Sequence, residues 1–111
     1  RCVRAAVRAA GTRRIRRVLD LPSGYGRILR VLKAAYPHAE LTACDLDRAA
    51  VDFCRDQFGA VGVYSDPDPA EVPLAGPFDL IWCGSLLTHL DAPRWDGFLR
   101  LFRRLLSADG V

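Results

Sequence analysis

The stretch from Val18 to Arg27 places an apolar strand, a carboxylate and a turn with two glycines directly before a helix. Glycine lets the backbone turn sharply and approach a ligand closely. The helix that follows directs its unpaired N–H groups and its positive dipole end at the same place. In α/β proteins this order of elements forms a nucleotide pocket at the C-terminal edge of a parallel sheet. The stretch therefore favours a parallel α/β fold with its ligand pocket at Gly24–Gly26.

Short apolar segments alternate with amphipathic segments along the rest of the chain. Strands are predicted at 17–21, 41–45, 61–65 and 78–83, with helices that end before Pro37, at Gly59 and near Leu106. Asp47 is predicted to cap the second of these helices, and Pro69 to start a short helical turn. The alternation predicts a parallel, right-handed α/β sheet with helices on both faces.

Length and composition fit one domain over residues 1–111. Half of the 111 residues are hydrophobic, which is enough for one core. The sequence has no apolar run near 18 residues, which argues against a membrane span, and no signal-peptide core. It neither begins with methionine nor contains one, so we expect a fragment or a processed chain.

Cysteine usage indicates free thiols. None of the four cysteines belongs to a CxxC pair, and two lie in strand-like apolar segments; they are Cys2, Cys44, Cys54 and Cys83. Buried thiols fit this pattern better than disulfides or metal ligands. The sequence therefore predicts a reducing, cytoplasmic compartment and no metal site.

Positive charge is concentrated at the N-terminus. Residues 1–17 contain seven arginines and no acid, whereas the remainder contains nine basic and thirteen acidic residues, a net charge of −4. Residues 1–14 are predicted as a basic amphipathic helix in front of a βα core at 15–111, with the arginines on a solvated face. The alternative is a non-enzymatic module that binds nucleic acid or a partner through this helix. No aromatic residue lies among the arginines, so stacking on bases is unsupported.

Acidic residues recur where strands end. Asp20, Asp45 and Asp66 follow the first three strands, and in a parallel sheet these ends lie along one edge. Asp45 lies 19 residues after Gly26, where a carboxylate can accept hydrogen bonds from both ribose hydroxyls. A nicotinamide-dependent oxidoreductase is one candidate, but the third glycine of its fingerprint is replaced here by Leu29.

Four segments in this order resemble class I S-adenosylmethionine-dependent methyltransferases, nearest to the small type 11 and type 12 domains. The segments are Val18–Arg27, Leu41–Asp47, Tyr64–Asp66 and Phe78–Leu90. The family's pattern of a strand, an acid and GxGxG is present as Asp20-Leu21-Pro22-Ser23-Gly24-Tyr25-Gly26. The resemblance covers about residues 14–111 and implies a Rossmann-like, doubly wound, three-layer αβα core. It also implies truncation at the fifth strand, which leaves a sheet edge that can associate with a partner.

The resemblance implies that S-adenosylmethionine is the cofactor and that its methyl group goes to a small-molecule or macromolecular acceptor. It places Asp20 near the methionine ammonium. The methionine end of the cofactor would be walled by Pro22, Ser23, Gly24 and Gly26. The sulfonium and the acceptor entrance would be near Cys83, Gly84 and Ser85.

At the other end of the cofactor, the resemblance implies that Asp45 holds the ribose hydroxyls and that Leu46 packs on the adenine. Asp66 would reach the adenine amino group, with Ser65 and Pro67 beside it.

Methyl transfer from a sulfonium is an in-line displacement that needs no metal and no covalent intermediate, so positioning and desolvation supply most of the acceleration. His89 is the one pocket-side candidate for a general base; the alternative is a structural or solvent-facing histidine. Pro22 replaces the first glycine of the family pattern, lacks an N–H and has a fixed φ. If the turn cannot accommodate the cofactor, the chain is a methyltransferase-like fold without activity.

Overall fold

The computed structural model describes residues 15–84 and 92–111. The predicted basic helix at 1–14, Cys2, Ser85 and His89 lie outside these ranges. The elements in chain order are β1 (Arg17–Asp20), α1 (Arg27–Ala35), β2 (Glu40–Asp45), α2 (Arg48–Phe58), β3 (Val61–Tyr64), a 3₁₀ turn (Pro69–Glu71), β4 (Leu80–Trp82) and α3 (Ala92–Leu105). No helix within the described ranges is long and apolar enough to cross a membrane.

The strands form one parallel sheet in the order β3-β2-β1-β4. The chain moves outward from β1 to β3 and then returns to place β4 on the other side of β1. A crevice opens at such a switch point, outside the carboxyl ends of the central strands. Asp20 at the end of β1 is in register with Ala43 of β2 and with Trp82 of β4. The predicted Rossmann-like parallel sheet is therefore confirmed.

Helices cover both faces of the sheet because successive strand residues point in opposite directions. Val18 packs in one core with Leu29 of α1 and Cys54 of α2. Its neighbour Leu19 packs in a second core with Leu101 of α3. The sheet is thus the middle of three layers, as predicted.

Local sequence signals set most element boundaries. The Asp47 carboxylate accepts a hydrogen bond from the Ala50 N–H at 3.2 Å and so caps α2. Gly59, at φ +66°, ends the same helix with its N–H on the Arg55 carbonyl at 3.1 Å. Pro69 begins the 3₁₀ turn. These three predictions are confirmed.

The prediction for the fourth strand was too long, since β4 occupies Leu80–Trp82 rather than 78–83. The Phe78 N–H donates to the Leu105 carbonyl at 2.6 Å, and the Phe78 carbonyl accepts from the Ser107 N–H at 2.8 Å. The Phe78 backbone therefore bonds to the end of α3 and the turn after it. Farther along, the Val111 N–H donates to the Asp79 carbonyl at 3.0 Å, which brings the chain after α3 beside β4. Association through a sheet edge stays a prediction.

Candidate functional site

Two adjoining cavities lie at the C-terminal edge of the sheet. The larger, which we call the glycine-turn cavity, has a volume of about 440 Å³, and the smaller, the β3-side cavity, about 110 Å³. Pro22 and Asp45 line both cavities and so stand between them. The topology therefore creates one elongated site with an acidic residue at its middle.

Most of the site residues predicted from sequence line these cavities. The glycine-turn cavity contains Asp20, Pro22, Ser23, Gly24, Asp45 and Gly84. The β3-side cavity contains Pro22, Asp45, Leu46, Ser65 and Asp66. Gly26 and Cys83 line neither, and Ser85 and His89 lie outside the described ranges.

Sequence reasoning missed several walls of the site. Tyr25, Arg27 and Trp82 line the glycine-turn cavity, and Arg94 and Phe98 of α3 line the β3-side cavity. Tyr25 and Arg27 immediately flank Gly26, so their proximity was readable from the glycine motif. Arg94 and Phe98 line the β3-side cavity because α3 packs on the face of the sheet opposite to α1 and α2.

Asp45 ties the glycine turn to the end of β2. Its Oδ2 accepts the Gly24 N–H at 2.7 Å, and its Oδ1 accepts the Asp47 N–H at 3.0 Å. Each carboxylate oxygen has a second lone pair, so both can still accept a hydrogen bond from a ligand. The structure thus presents a fixed carboxylate toward both cavities.

Pro22 fits into the turn because its neighbours make the strand contacts. The Leu21 N–H donates to the Trp82 carbonyl and the Ser23 N–H to the Cys44 carbonyl, both at 3.0 Å. Since residues 21 and 23 donate these two hydrogen bonds, no N–H is needed at position 22, and proline is accommodated there.

Gly26 has a packing role. Its φ is +86°, and a Cβ at this position would overlap the ring of Phe58 and lie 3.3 Å from the Cys54 sulfur. Glycine therefore lets the start of α1 approach α2 closely. Leu29, one turn later, is fully buried in the core that holds Val18 and Leu80, at the position where the dinucleotide fingerprint has glycine.

Asp20 is the most unusual ionisable group of the site. The residue is 1% exposed, and its Oδ2 is buried with no hydrogen-bond partner in the part of the chain that the structure describes. Burial, and secondarily the charge of Asp45, raises the pKa of Asp20 to about 7. A cationic ligand group in the cavity would satisfy this oxygen and favour the ionised form.

The thiols near the site are poor nucleophiles. Burial raises the pKa of Cys44 to about 12 and that of Cys83 to about 11. Both groups therefore remain protonated at neutral pH. Cys44, Cys54 and Cys83 are free, and no cluster of three or more metal-ligating side chains occurs within residues 15–84 and 92–111.

A third cavity, of about 600 Å³, lies beside the site between the 3₁₀ turn and α3. Arg94, Arg100 and Arg104 line it, and Arg94 and Pro67 also line the β3-side cavity. Arg100 and Arg104 border only this third cavity among the three. They can therefore be changed without altering the walls of the other two.

Comparisons with known proteins agree on the family. A family model described as "Methyltransferase domain" matches residues 18–110. The malonyl-[acyl-carrier protein] O-methyltransferase of Laribacter hongkongensis is 33% identical over 106 residues, which cover 86% of this chain and 35% of that protein. The release factor glutamine methyltransferase of Deinococcus radiodurans is 41% identical over 69 residues, 59% of this chain and 24% of that protein. The chain thus spans about a third or less of these relatives.

Solved structures support the same assignment. A TehB-like SAM-dependent methyltransferase from Corynebacterium glutamicum superposes with a TM-score of 0.75 at 28% identity, covering 96% of this chain and 57% of that chain. The sugar N-methyltransferase KedS8 from Streptoalloteichus has a TM-score of 0.79 at 25% identity, covering 98% and 43%. Since the family model matches most of the chain and the superposed folds agree with it, the chain belongs to the methyltransferase domain family.

Proposed function

We propose that the protein binds S-adenosylmethionine at the two adjoining cavities and transfers its methyl group to an acceptor. One observation carries this proposal: Asp20, which lines the glycine-turn cavity, has a buried Oδ2 without a hydrogen-bond partner among the residues that the structure describes, and Asp45 stands between that cavity and the next. A ligand with an ammonium group at one end, a diol at its middle and a base at the other end matches this order of groups.

In the glycine-turn cavity, the Asp20 carboxylate would accept the ammonium of the methionine part. An ion pair with full hydrogen bonding offsets the desolvation that raises the pKa of Asp20. Pro22, Ser23 and Gly24 line the same cavity and restrict the position of this end of the ligand.

Asp45 would hold the ribose hydroxyls with the lone pairs that its two backbone bonds leave open. The β3-side cavity would take the adenine. Leu46 and Phe98 offer apolar surface there, while Ser65 and Asp66 offer polar atoms for the edge of the base. Leu46 is 59% exposed, so covering it with a base would also remove apolar surface from water.

When bound, this cofactor supplies a methyl group on a good sulfonium leaving group. The residues of the chain hold the ligand in one orientation and limit water around it, which supplies most of the acceleration of an in-line displacement. Gly84 lines the glycine-turn cavity. The placement of Cys83, Gly84 and Ser85 near the sulfonium and the acceptor entrance stays a prediction, as does the role of His89 as general base.

The acceptor differs among the relatives, whose names specify a carrier protein, a release factor and a sugar. We therefore propose only a small-molecule or macromolecular acceptor. The free thiols Cys44, Cys54 and Cys83 support a reducing, cytoplasmic compartment. Nucleic-acid binding by the arginines of residues 1–14 stays an alternative prediction, which a salt-dependent gel shift would test.

Isothermal titration calorimetry with S-adenosylhomocysteine tests the proposal on the full-length protein. We expect micromolar binding that Asp45→Ala abolishes. Asp56→Ala is the matched control, because Asp56 is an exposed acid that lines neither cavity and whose carboxylate pairs with the neighbouring Arg55. Absence of binding to the unmodified protein would reject the proposed function.

A further inference from the structure

Trp82, which lines the glycine-turn cavity, carries a second unpartnered polar atom of the site, its indole Nε1. This nitrogen is buried and has no hydrogen-bond partner among residues 15–84 and 92–111. An indole N–H can only donate, and a buried donor without an acceptor destabilises a protein. Trp82 lines the same cavity as Asp20, whose Oδ2 is the unpartnered acceptor. A ligand that carries both a donor and an acceptor would satisfy both atoms.

Sheet register places Asp20 and Trp82 side by side. They are partners at the ends of the neighbouring parallel strands β1 and β4, and the Leu21 N–H to Trp82 carbonyl bond of 3.0 Å joins the strands there. Val18 and Leu80, two residues earlier on each strand, both pack in the core beneath α1. Side chains two residues apart share a face, so Asp20 and Trp82 point to that same face. Adjacent strands are about 4.8 Å apart.

We infer that Trp82 Nε1 forms a carboxylate subsite, which binds the α-carboxylate of the cofactor while Asp20 binds its ammonium. In an α-amino acid the nitrogen and the carboxyl carbon are about 2.5 Å apart, so both groups can bind to adjacent strands at once. Arg27, at the start of α1, lines the same cavity and adds a positive charge to its wall. This inference rests on the proposed function.

Gly84 keeps space open beside the indole nitrogen. A Cβ at residue 84 would lie 3.5 Å from Trp82 Nε1 and, among residues 15–84 and 92–111, would meet no other atom within 4 Å apart from its chain neighbours. Gly84 and Trp82 line the same cavity, so residue 84 borders the space in which we expect the carboxylate to bind. A methyl group there would crowd the subsite without a clash with any residue that the structure describes.

A calorimetric test with three ligands distinguishes the contributions of the ammonium and the carboxylate to binding. S-adenosylmethionine carries both the ammonium and the carboxylate, its decarboxylated analogue keeps only the ammonium, and 5′-methylthioadenosine has neither. Trp82→Phe retains an aromatic ring but removes the N–H. We expect it to weaken S-adenosylmethionine binding by about 10-fold or more, as for a hydrogen bond to a charged group, and to change the other two affinities less than twofold.

Asp20→Asn is the comparison variant, because it should weaken both ammonium-bearing ligands and leave 5′-methylthioadenosine unchanged. Gly84→Ala is the second probe of the subsite, and it should weaken S-adenosylmethionine more than the decarboxylated analogue. If Trp82→Phe does not fold, Gly84→Ala tests the carboxylate subsite alone. Equal losses of affinity for S-adenosylmethionine and its decarboxylated analogue, or no loss for either, would overturn the carboxylate subsite. Failure of the unmodified protein to bind any of the three would instead reject the proposed function.

Discussion

Binding of the cofactor should release a proton from Asp20. The pKa of this carboxyl is raised to about 7, chiefly by burial, whereas the ammonium of the ligand pairs with the carboxylate form. At a pKa of 7, about a tenth of the free protein has Asp20 ionised at pH 6, half at pH 7 and about nine-tenths at pH 8. The apparent Kd for S-adenosylhomocysteine should therefore fall about tenfold from pH 6 to pH 8.

Calorimetry in two buffers with different ionisation enthalpies measures this proton directly. We expect release of about 0.9 protons per ligand at pH 6, 0.5 at pH 7 and 0.1 at pH 8. Asp20→Asn cannot release this proton, so its weaker binding should be nearly independent of pH and should reveal any contribution from other groups. A constant Kd across this range, without proton release, would refute the assignment of Asp20 to the ammonium.

The raised pKa of Asp20 should also make the stability of the ligand-free protein depend on pH. The folded state binds the Asp20 proton more tightly than the unfolded chain, whose carboxyl has the ordinary pKa of 3.8. The resulting stabilisation is complete below pH 3.8 and is lost as pH rises toward 7, by about 4 kcal/mol at about 1.4 kcal/mol per pKa unit. Urea unfolding should show this decline in the unmodified protein, and Asp20→Asn should reduce it.

Two further predictions concern packing and thiol chemistry. Gly26→Ala should lower the free energy of unfolding by about 3 kcal/mol, because a Cβ there would overlap the ring of Phe58 at a positive φ. Gly24→Ala should lower it by about 1 kcal/mol, because a Cβ at that position meets no atom of the described residues within 4 Å. Equal losses in denaturant titrations would contradict the packing role of Gly26. In the folded protein at pH 8, Cys44 and Cys83 should react with iodoacetamide far more slowly than in urea, since burial raises both thiol pKa values. Peptide mass spectrometry measures the rate at each cysteine. Equal rates in the folded protein and in urea would contradict the prediction.

The fold could be predicted largely because its signals are local. Asp47 caps α2 with its own side chain, Gly59 ends that helix in a left-handed conformation, and Pro69 starts the 3₁₀ turn. Each of these depends on a few neighbouring residues. The fourth strand was predicted too long because its limit depends on distant groups: Phe78 bonds to the end of α3, which no local pattern reveals.

The candidate site could be predicted only in part, for the same reason. Acidic residues at strand ends were visible in the sequence, and Asp20 and Asp45 do line one cavity. Phe98 and Arg94 were missed because their approach depends on how α3 packs across the sheet. The sequence pattern indicates Trp82 only as part of an apolar strand. Its polar significance comes from the register that sets it beside Asp20, and a single sequence carries no register.

The three positions of the glycine pattern meet different physical demands in this chain. At position 22 the neighbours Leu21 and Ser23 donate the hydrogen bonds between strands, so proline is accepted and adds apolar surface where the two cavities meet. Gly24 adopts a left-handed backbone conformation, and its N–H donates to the Asp45 carboxylate and holds it in place. Gly26 is needed for contact between α1 and α2. Loss of the first glycine therefore leaves intact both the turn and the carboxylate that we expect to hold the ribose.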